Sequence, residues 1–148
     1  MTETTTAQEI EITREYDAPR ELVWRAWTEP EELVQWWGPS GWSTPLDTVT
    51  MEVRPGGTFR LTSISAEGAE MPVVGVYREV VEPERLVLEE PPEHAWHEGS
   101  VSTVTFTELG EGRTEVALRA TIQTTAEMRV AAERGMNGTL DRLAEHFA

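Results

Sequence analysis

The residues best suited to chemistry lie in one irregular stretch, residues 89–100, where two histidines stand among glutamates. His94 and His97 are three residues apart, with Glu93 and Glu98 beside them, and these side-chain types bind divalent metals. The stretch is rich in proline, so no helix would hold the two rings on one side, and no further histidine or cysteine completes a ligand shell. We therefore expect a structural or solvent-exposed role for both histidines, with no metal and no cofactor.

Other catalytic patterns are missing from the sequence. There is no cysteine, which excludes disulfides and thiolate chemistry, and there is no Gly-x-Ser-x-Gly nucleophile motif. Gly56 and Gly57 lack the lysine and the hydroxyl residue of a phosphate-binding loop, so the pair predicts a turn. A buried carboxylate whose pKa is raised by desolvation could still act as a general base. With no catalytic motif, a binding protein is favoured over an enzyme.

One arginine lies where a ligand-binding cation could stand. Ile10, Ile12 and Tyr16 alternate with polar residues as in a half-buried strand, and Arg14 falls on the same face. In the favoured interpretation, Arg14 extends past the strand end to solvent or is turned outward by a bulge. In the alternative, it points into a cavity and holds an acidic group of a ligand.

Charge and composition narrow the partners and the compartment. The 148 residues include 27 acidic and 12 basic side chains, so the net charge of −15 repels nucleic acid and anionic membranes. The chain begins with no apolar segment, and no run approaches the ~18 apolar residues of a membrane span. We expect a cytoplasmic protein with a flexible tail over residues 1–8 and a single domain over residues 9–148. Both a monomer and a homodimer fit the pattern.

Five of the six tryptophans lie within residues 17–42, so this segment must be either core or the wall of an apolar pocket. It predicts two short helices, the first capped by Asp17 and the second by Thr28, with a Gly-Pro pair at the end. Trp36 and Trp37 are consecutive, so they cannot point the same way on a helix. We expect one ring to pack inward and the other to meet a neighbouring element or a pocket mouth.

The rest of the chain predicts a sheet followed by a long helix. Over residues 46–122 apolar and polar residues alternate between short turns, which with the first segment makes seven antiparallel strands. From Thr125 to Phe147 apolar residues recur every three or four positions, and a helix of roughly 36 Å would cross the whole sheet. Gly135 and Gly138 inside this helix either allow close packing on the sheet, the favoured interpretation, or leave room for a ligand.

These segments resemble a known family, the bacterial homologues of the activator of heat-shock protein 90 ATPase. The resemblance runs from Ile10 to Phe147, and it rests on motifs whose combined order and spacing are more specific than any one of them. The motifs are Asp17-Ala-Pro, Val23-Trp24, Ala26-Trp27-Thr28, Pro30, Trp36-Trp37-Gly38-Pro39, Arg54-Pro55-Gly56-Gly57, Gly75-Val76-Tyr77, Pro83 with Arg85-Leu86, and Gly135 with Leu140-Asp141-Arg142-Leu143.

The resemblance implies an α+β fold of the START-like (SRPBCC) superfamily, the helix-grip fold, in which a seven-stranded antiparallel sheet wraps around a long C-terminal helix. Two short helices after the first strand help to close an apolar cavity between sheet and helix. The implied cavity residues are Trp36 and Trp37 near the mouth, Phe59 and Phe106 on the sheet wall, and Met128, Gly135, Met136 and Thr139 on the helix side. Arg14 and Trp96 are further candidates for the lining.

Two departures limit what is carried over from the family. Met136 follows Gly135 where relatives often have tryptophan, which changes the expected shape of the pocket. The chain also lacks the separate N-terminal domain that the eukaryotic co-chaperones use to stimulate the ATPase. The co-chaperone function is therefore not carried over with the family name.

Three functions follow as hypotheses. The first is a binding module that takes one small hydrophobic or amphipathic molecule into the cavity. The second is a protein-interaction module related to the co-chaperones, with the cell's heat-shock protein 90 homologue as partner and a link to the stress response. The third is a cyclase- or hydrolase-like enzyme that uses the same cavity, with Arg14 and a neighbouring carboxylate as its polar pair.

Overall fold

A computed structural model describes residues 4–92 and 97–148 of the chain. The described residues form a large sheet, two short helices and one long helix, which confirms the predicted α+β class. In chain order the elements are β1 Thr6–Tyr16, α1 Arg20–Thr28, α2 Pro30–Leu33, β2 Trp42–Ser43, a 3₁₀ turn Leu46–Thr48, β3 Thr50–Met51, β4 Thr58–Ser65, β5 Glu70–Val81, β6 Arg85–Glu90, β7 Ser100–Gly110, β8 Arg113–Thr124 and α3 Ala126–His146.

The sheet is antiparallel and follows the order β1-β8-β7-β6-β5-β4-β2, with β3 also paired to β4. It has eight strands within the described residues, one more than predicted. The additional strand, Trp42–Ser43, is too short to show an alternating pattern. The strand predicted from residue 46 onward is also shorter than expected, because a 3₁₀ turn occupies Leu46–Thr48 and only Thr50–Met51 pairs with β4.

One face of the sheet is apolar and lies beneath α3 and the two short helices; we call it the inner face. Ile10 in β1 and its partner Ala120 in β8 both point into it, and they are 1% and 0% exposed. From the other side, α3 contributes Leu140 and Leu143, which are also buried. The long helix therefore lies against a wrapped antiparallel sheet, which confirms the predicted helix-grip fold.

The first strand is longer than predicted. β1 starts at Thr6 opposite Thr124 and stays paired with β8 until Tyr16 opposite Thr114. Residues 6–8 of the predicted tail therefore belong to the sheet. The pairing also joins the beginning of the described chain directly to its last strand.

The long helix agrees with the prediction to within one residue at each end. It starts after Thr125, whose hydroxyl oxygen accepts a hydrogen bond from the backbone N–H of Met128 at 3.1 Å, an N-cap interaction. It ends at His146, which lies 3.0 Å from the Glu32 carboxylate of α2 through its Nε2 atom. Within the described residues, no helix is both long and apolar enough to cross a membrane.

The predicted caps of the two short helices are wrong. The N-cap of α1 is Pro19, with no side-chain hydrogen bond, while the Asp17 carboxylate is largely exposed and 3.8 Å from Arg113. The N-cap of α2 is Glu29, also without a side-chain hydrogen bond, and the hydroxyl of Thr28 instead donates back to the carbonyl of Trp24 at 2.8 Å. Because α2 contains only four residues, the two consecutive tryptophans follow it in a turn and not in a helix.

Candidate functional site

The tryptophan-rich segment, residues 17–42, packs onto the inner face through a line of touching rings. Trp27 and Trp37 are 6.4 Å apart between ring centroids, Trp37 and Phe59 are 5.6 Å apart, and Phe59 and Tyr77 are 5.9 Å apart. All three contacts are edge-to-face, the arrangement that aromatic quadrupoles favour. We call these four residues the aromatic row. The row crosses from the short helices to strand β5.

Trp36 and Trp37 divide their roles as expected from consecutive aromatic residues. Trp36 is 0% exposed, and its indole N–H donates to the carbonyl of Ala26 at 3.0 Å. This ring therefore belongs to the core and not to a solvent-facing mouth, which corrects its predicted place. Trp37 is half-buried and contacts Phe59, so it is the ring nearer the surface.

Arg142 in α3 holds the chain that leaves the two tryptophans. Its Nη1 group donates to the carbonyl oxygens of Trp37, Gly38, Pro39 and Trp42 at distances between 2.9 and 3.3 Å. Gly38 has a φ of +98°, a conformation that glycine adopts without strain. We call this set of contacts the arginine clamp, since it fixes the exit of the tryptophan segment to the long helix.

Gly135 and Gly138 lie on the same flank of α3 as Arg142, because they precede it by seven and four residues. A Cβ atom at either glycine would meet no atom within 4 Å outside the local helix backbone. The glycines therefore do not serve close packing on the sheet, so the favoured interpretation is wrong. Open space lies beside this flank, which we call the glycine flank.

The other helix residues predicted to line a cavity divide into two groups. Met136 packs against the core, and Thr139 is half-buried with its hydroxyl donating to the carbonyl of Gly135 at 3.0 Å. Met128, in the first turn of α3, is 40% exposed and lies apart from them.

On the sheet side, Phe106 is 2% exposed. Trp96 lies outside the described residues.

The guanidinium of Arg14 is bound to α3. It donates from Nη1 to the carboxylate of Asp141 at 2.8 Å and from Nη2 to the side-chain oxygen of Asn137 at 2.9 Å. The carboxylate that accompanies Arg14 is thus Asp141, which is 68% exposed on the helix surface. Nearby, Tyr16 donates to the carbonyl of Leu140, and burial raises its pKa to about 12, with Arg14 lowering and Asp141 raising it.

Two buried donors of the aromatic row have no hydrogen-bond partner among the described residues. They are the hydroxyl of Tyr77 and the indole N–H of Trp27. Tyr77 and Trp27 are 1% and 6% exposed, and burial raises the pKa of the Tyr77 hydroxyl. An unpaired buried donor costs about 1–3 kcal/mol, so each of these groups requires an explanation.

His97 has a structural setting that the sequence did not predict in detail. Its side chain is 2% exposed, its Nδ1 accepts the backbone N–H of Gly99 at 3.0 Å, and its Nε2 lies 3.5 Å from the Glu90 carboxylate. Within residues 4–92 and 97–148, no three His, Asp or Glu side chains converge as metal ligands. His94 and Glu93 lie outside the described residues.

Two open grooves lie on the outside of the protein. One, of about 530 Å³, is formed by α1 and the β5–β6 turn, with Trp24, Arg25 and Glu82 among its residues. The other, of about 460 Å³, runs over the outer face of β1, β8 and β7. Neither groove includes a residue predicted to line the cavity.

Comparison with solved structures supports the fold. A protein from Nitrosomonas europaea is 25% identical, with a TM-score of 0.76 over 93% of this chain and 92% of that chain. The AHSA1 protein from Silicibacter pomeroyi is 20% identical, with a TM-score of 0.81 over 93% and 96% of the two chains. A protein from Arthrobacter aurescens is 22% identical, with a TM-score of 0.81 over 96% and 90%. The last two establish similarity of fold alone. No protein of curated function matches this sequence.

The family follows from a match that covers most of the sequence. The model for Activator of Hsp90 ATPase homolog 1-like proteins matches residues 17–148. This range contains the tryptophan segment, strands β2 to β8 and the whole of α3. The resemblance predicted from the sequence motifs is confirmed, together with the START-like fold. The chain therefore belongs to the family of Activator of Hsp90 ATPase homolog 1-like proteins.

Proposed function

We propose that this protein binds one small, largely apolar molecule between the inner face of the sheet and α3. The observation that carries the proposal is that a Cβ at Gly135, on a half-buried side of α3, would meet no atom within 4 Å outside the local helix backbone. In a helix interior glycine costs about 1 kcal/mol relative to alanine, so two glycines without a packing role weaken α3. We attribute that loss to the space that the missing side chains leave next to the arginine clamp.

The surroundings of the glycine flank suit such a ligand. Arg142 holds Trp37 beside the flank by a hydrogen bond to its carbonyl oxygen. The ring of Trp37 in turn contacts the apolar ring of Phe59. Met136 provides a flexible apolar side chain on the helix side. Binding sites for small molecules combine apolar walls with a few polar groups in this way.

The test uses N-phenyl-1-naphthylamine, a neutral probe whose fluorescence rises in apolar surroundings. We expect saturable binding of one probe per chain, and at least a tenfold weaker affinity for Gly135→Leu. Leucine favours the helix and its Cβ would meet no other element, so we expect this variant to fold while its side chain fills the space. Native mass spectrometry of protein purified from its own host should in addition detect a bound small molecule.

Ala144→Leu is the matched control. Ala144 is exposed and lies nine residues from Gly135, so it is on the opposite side of α3. This variant should bind the probe like the unmodified protein. Equal affinities of the two leucine variants, or no saturable binding at all, would contradict the proposal.

The family description favours a second candidate, a co-chaperone-like module that acts on a heat-shock protein 90 homologue. Its test is the ATPase rate of the host's homologue, measured with and without this protein. Stimulation that is unchanged in Gly135→Leu would favour the second candidate over ligand binding. No stimulation would remove it.

A further inference from the structure

Each end of the aromatic row carries a hydrogen-bond donor that has no acceptor among the described residues. These two donors indicate which kind of molecule the interior can bind. The Tyr77 hydroxyl and the Trp27 indole N–H are both buried and unpaired among the described residues. Both groups can donate, and the indole N–H cannot accept. A bound molecule that supplies an acceptor would therefore satisfy a group that the protein leaves unpaired.

The order of the rings indicates how a bound molecule would be oriented along the aromatic row. Trp37 lies beside the glycine flank, because its carbonyl accepts from Arg142. Phe59 follows it along the row, and Tyr77 is the last ring. A molecule that enters beside the glycine flank would thus meet Trp37 first and would reach Tyr77 with its inner end.

A charge at the inner end of this molecule would find no counter-charge from its immediate neighbours, because Phe59 and Tyr77 are uncharged aromatic side chains. Arg14 is bound to Asp141 and Asn137, and the guanidinium of Arg142 lies at the other end of this path, on the carbonyls of the clamp. The hydroxyl of Tyr77 is protonated at neutral pH, because the ordinary pKa of tyrosine is about 10 and burial raises the pKa of this one further. A ligand ionised at its inner end would lose hydration there without gaining a counter-charge, which is strongly unfavourable.

We propose that the ligand is a mostly apolar molecule whose inner end is uncharged and carries a carbonyl or ether oxygen, and that this oxygen accepts a hydrogen bond from Tyr77. The inference rests on the proposed function, since it uses the same space between sheet and helix. It adds the chemical class of the ligand and names the residue that selects it.

The experiment compares two molecules of nearly the same shape, benzophenone and diphenylmethane, which differ in one carbonyl oxygen. Each displaces N-phenyl-1-naphthylamine from the unmodified protein and from Tyr77→Phe. We expect benzophenone to bind the unmodified protein about tenfold more tightly than diphenylmethane, the usual effect of one hydrogen bond to a buried donor. In Tyr77→Phe this preference should disappear through weaker binding of benzophenone, with diphenylmethane unchanged.

The outcomes separate this inference from the proposed function. If both molecules displace the probe equally before and after the substitution, the apolar site stands and the role of Tyr77 is overturned. If the probe binds but neither molecule displaces it, the proposed ligand class is wrong. If the probe does not bind, the proposed function fails and the inference fails with it.

A stability measurement without ligand tests the premise. Removal of an unpaired buried hydroxyl leaves no partner unsatisfied, so Tyr77→Phe should keep or raise the urea midpoint. A lower midpoint would show that the hydroxyl already has a partner in the free protein, and the inference would be overturned.

Discussion

Replacement of Arg142 by methionine should destabilise this protein more than its partial exposure suggests. Methionine keeps an unbranched apolar chain and a high helix propensity, so the change removes the guanidinium and little else. The loss leaves the carbonyls of Trp37, Gly38, Pro39 and Trp42 without the donor that now holds them. The segment that leaves the tryptophans should then loosen from α3.

The size of the effect follows from the geometry of the clamp. One Nη group has two hydrogens, so at most two of the four contacts are well aligned at once. Hydrogen bonds to a charged donor contribute about 1.5–3 kcal/mol each, and water can solvate some of the freed carbonyls. We therefore expect a loss of about 3 kcal/mol in the free energy of unfolding. For a domain of this size that corresponds to roughly 6–12 °C in Tm.

Urea unfolding followed by tryptophan fluorescence measures this loss, since most indoles lie in the segment that the clamp holds. Arg134→Met is the matched control, because Arg134 is an exposed arginine of the same helix. It should change the free energy of unfolding by less than about 0.5 kcal/mol. If Arg142→Met and Arg134→Met are equally stable, the clamp does not hold the segment and our reasoning is wrong.

Three further measurements test other parts of the structure. Gly135→Ala should raise the free energy of unfolding by about 1 kcal/mol, because a Cβ there meets only open space. Urea titration measures this change, and a lower free energy of unfolding would restore the close-packing interpretation. Gly57→Ala should prevent folding or lower Tm sharply, as seen by circular dichroism, because its Cβ would overlap the carbonyl of Glu52, and a native-like Tm would refute this. Tyr16 and Tyr77 are the only two tyrosines, and burial raises both pKa values, so the folded state binds their protons more tightly than the unfolded state does. Stability should therefore fall as the pH rises above about 10, the pKa of a free tyrosine. Absorbance at 295 nm should show no tyrosinate before that loss, and early ionisation would contradict the burial.

The elements that depend on periodicity could be predicted from the sequence. The alternation of Ile10, Ile12 and Tyr16 predicted β1, and the helical spacing after Thr125 predicted α3, since each pattern reflects a single buried face. The predicted N-caps at Asp17 and Thr28 were wrong, because a side chain that can cap a helix can also form its bonds elsewhere. Nothing local in the sequence separates the two outcomes.

The site was predictable only in part, because its polar contacts join distant positions. Arg142 binds carbonyls that precede it by about a hundred residues. Every residue has a backbone carbonyl, so the sequence cannot show which of them accept these hydrogen bonds. The pairing of His97 with Glu90 likewise depends on how β6 and β7 meet. The unpaired state of Tyr77 is a property of its surroundings, so its residue type could not indicate it.

The pairing of β1 with β8 has a consequence for synthesis of the chain. β1 ends at Tyr16, but its partner strand begins only at Arg113, so at 5–20 residues per second β1 waits roughly 5–20 s for that strand. During this interval the apolar side chains of Ile10 and Ile12 have no sheet to join. The nascent protein therefore completes its sheet only after β8 has been made, and until then its first strand depends on whatever shields it from other chains.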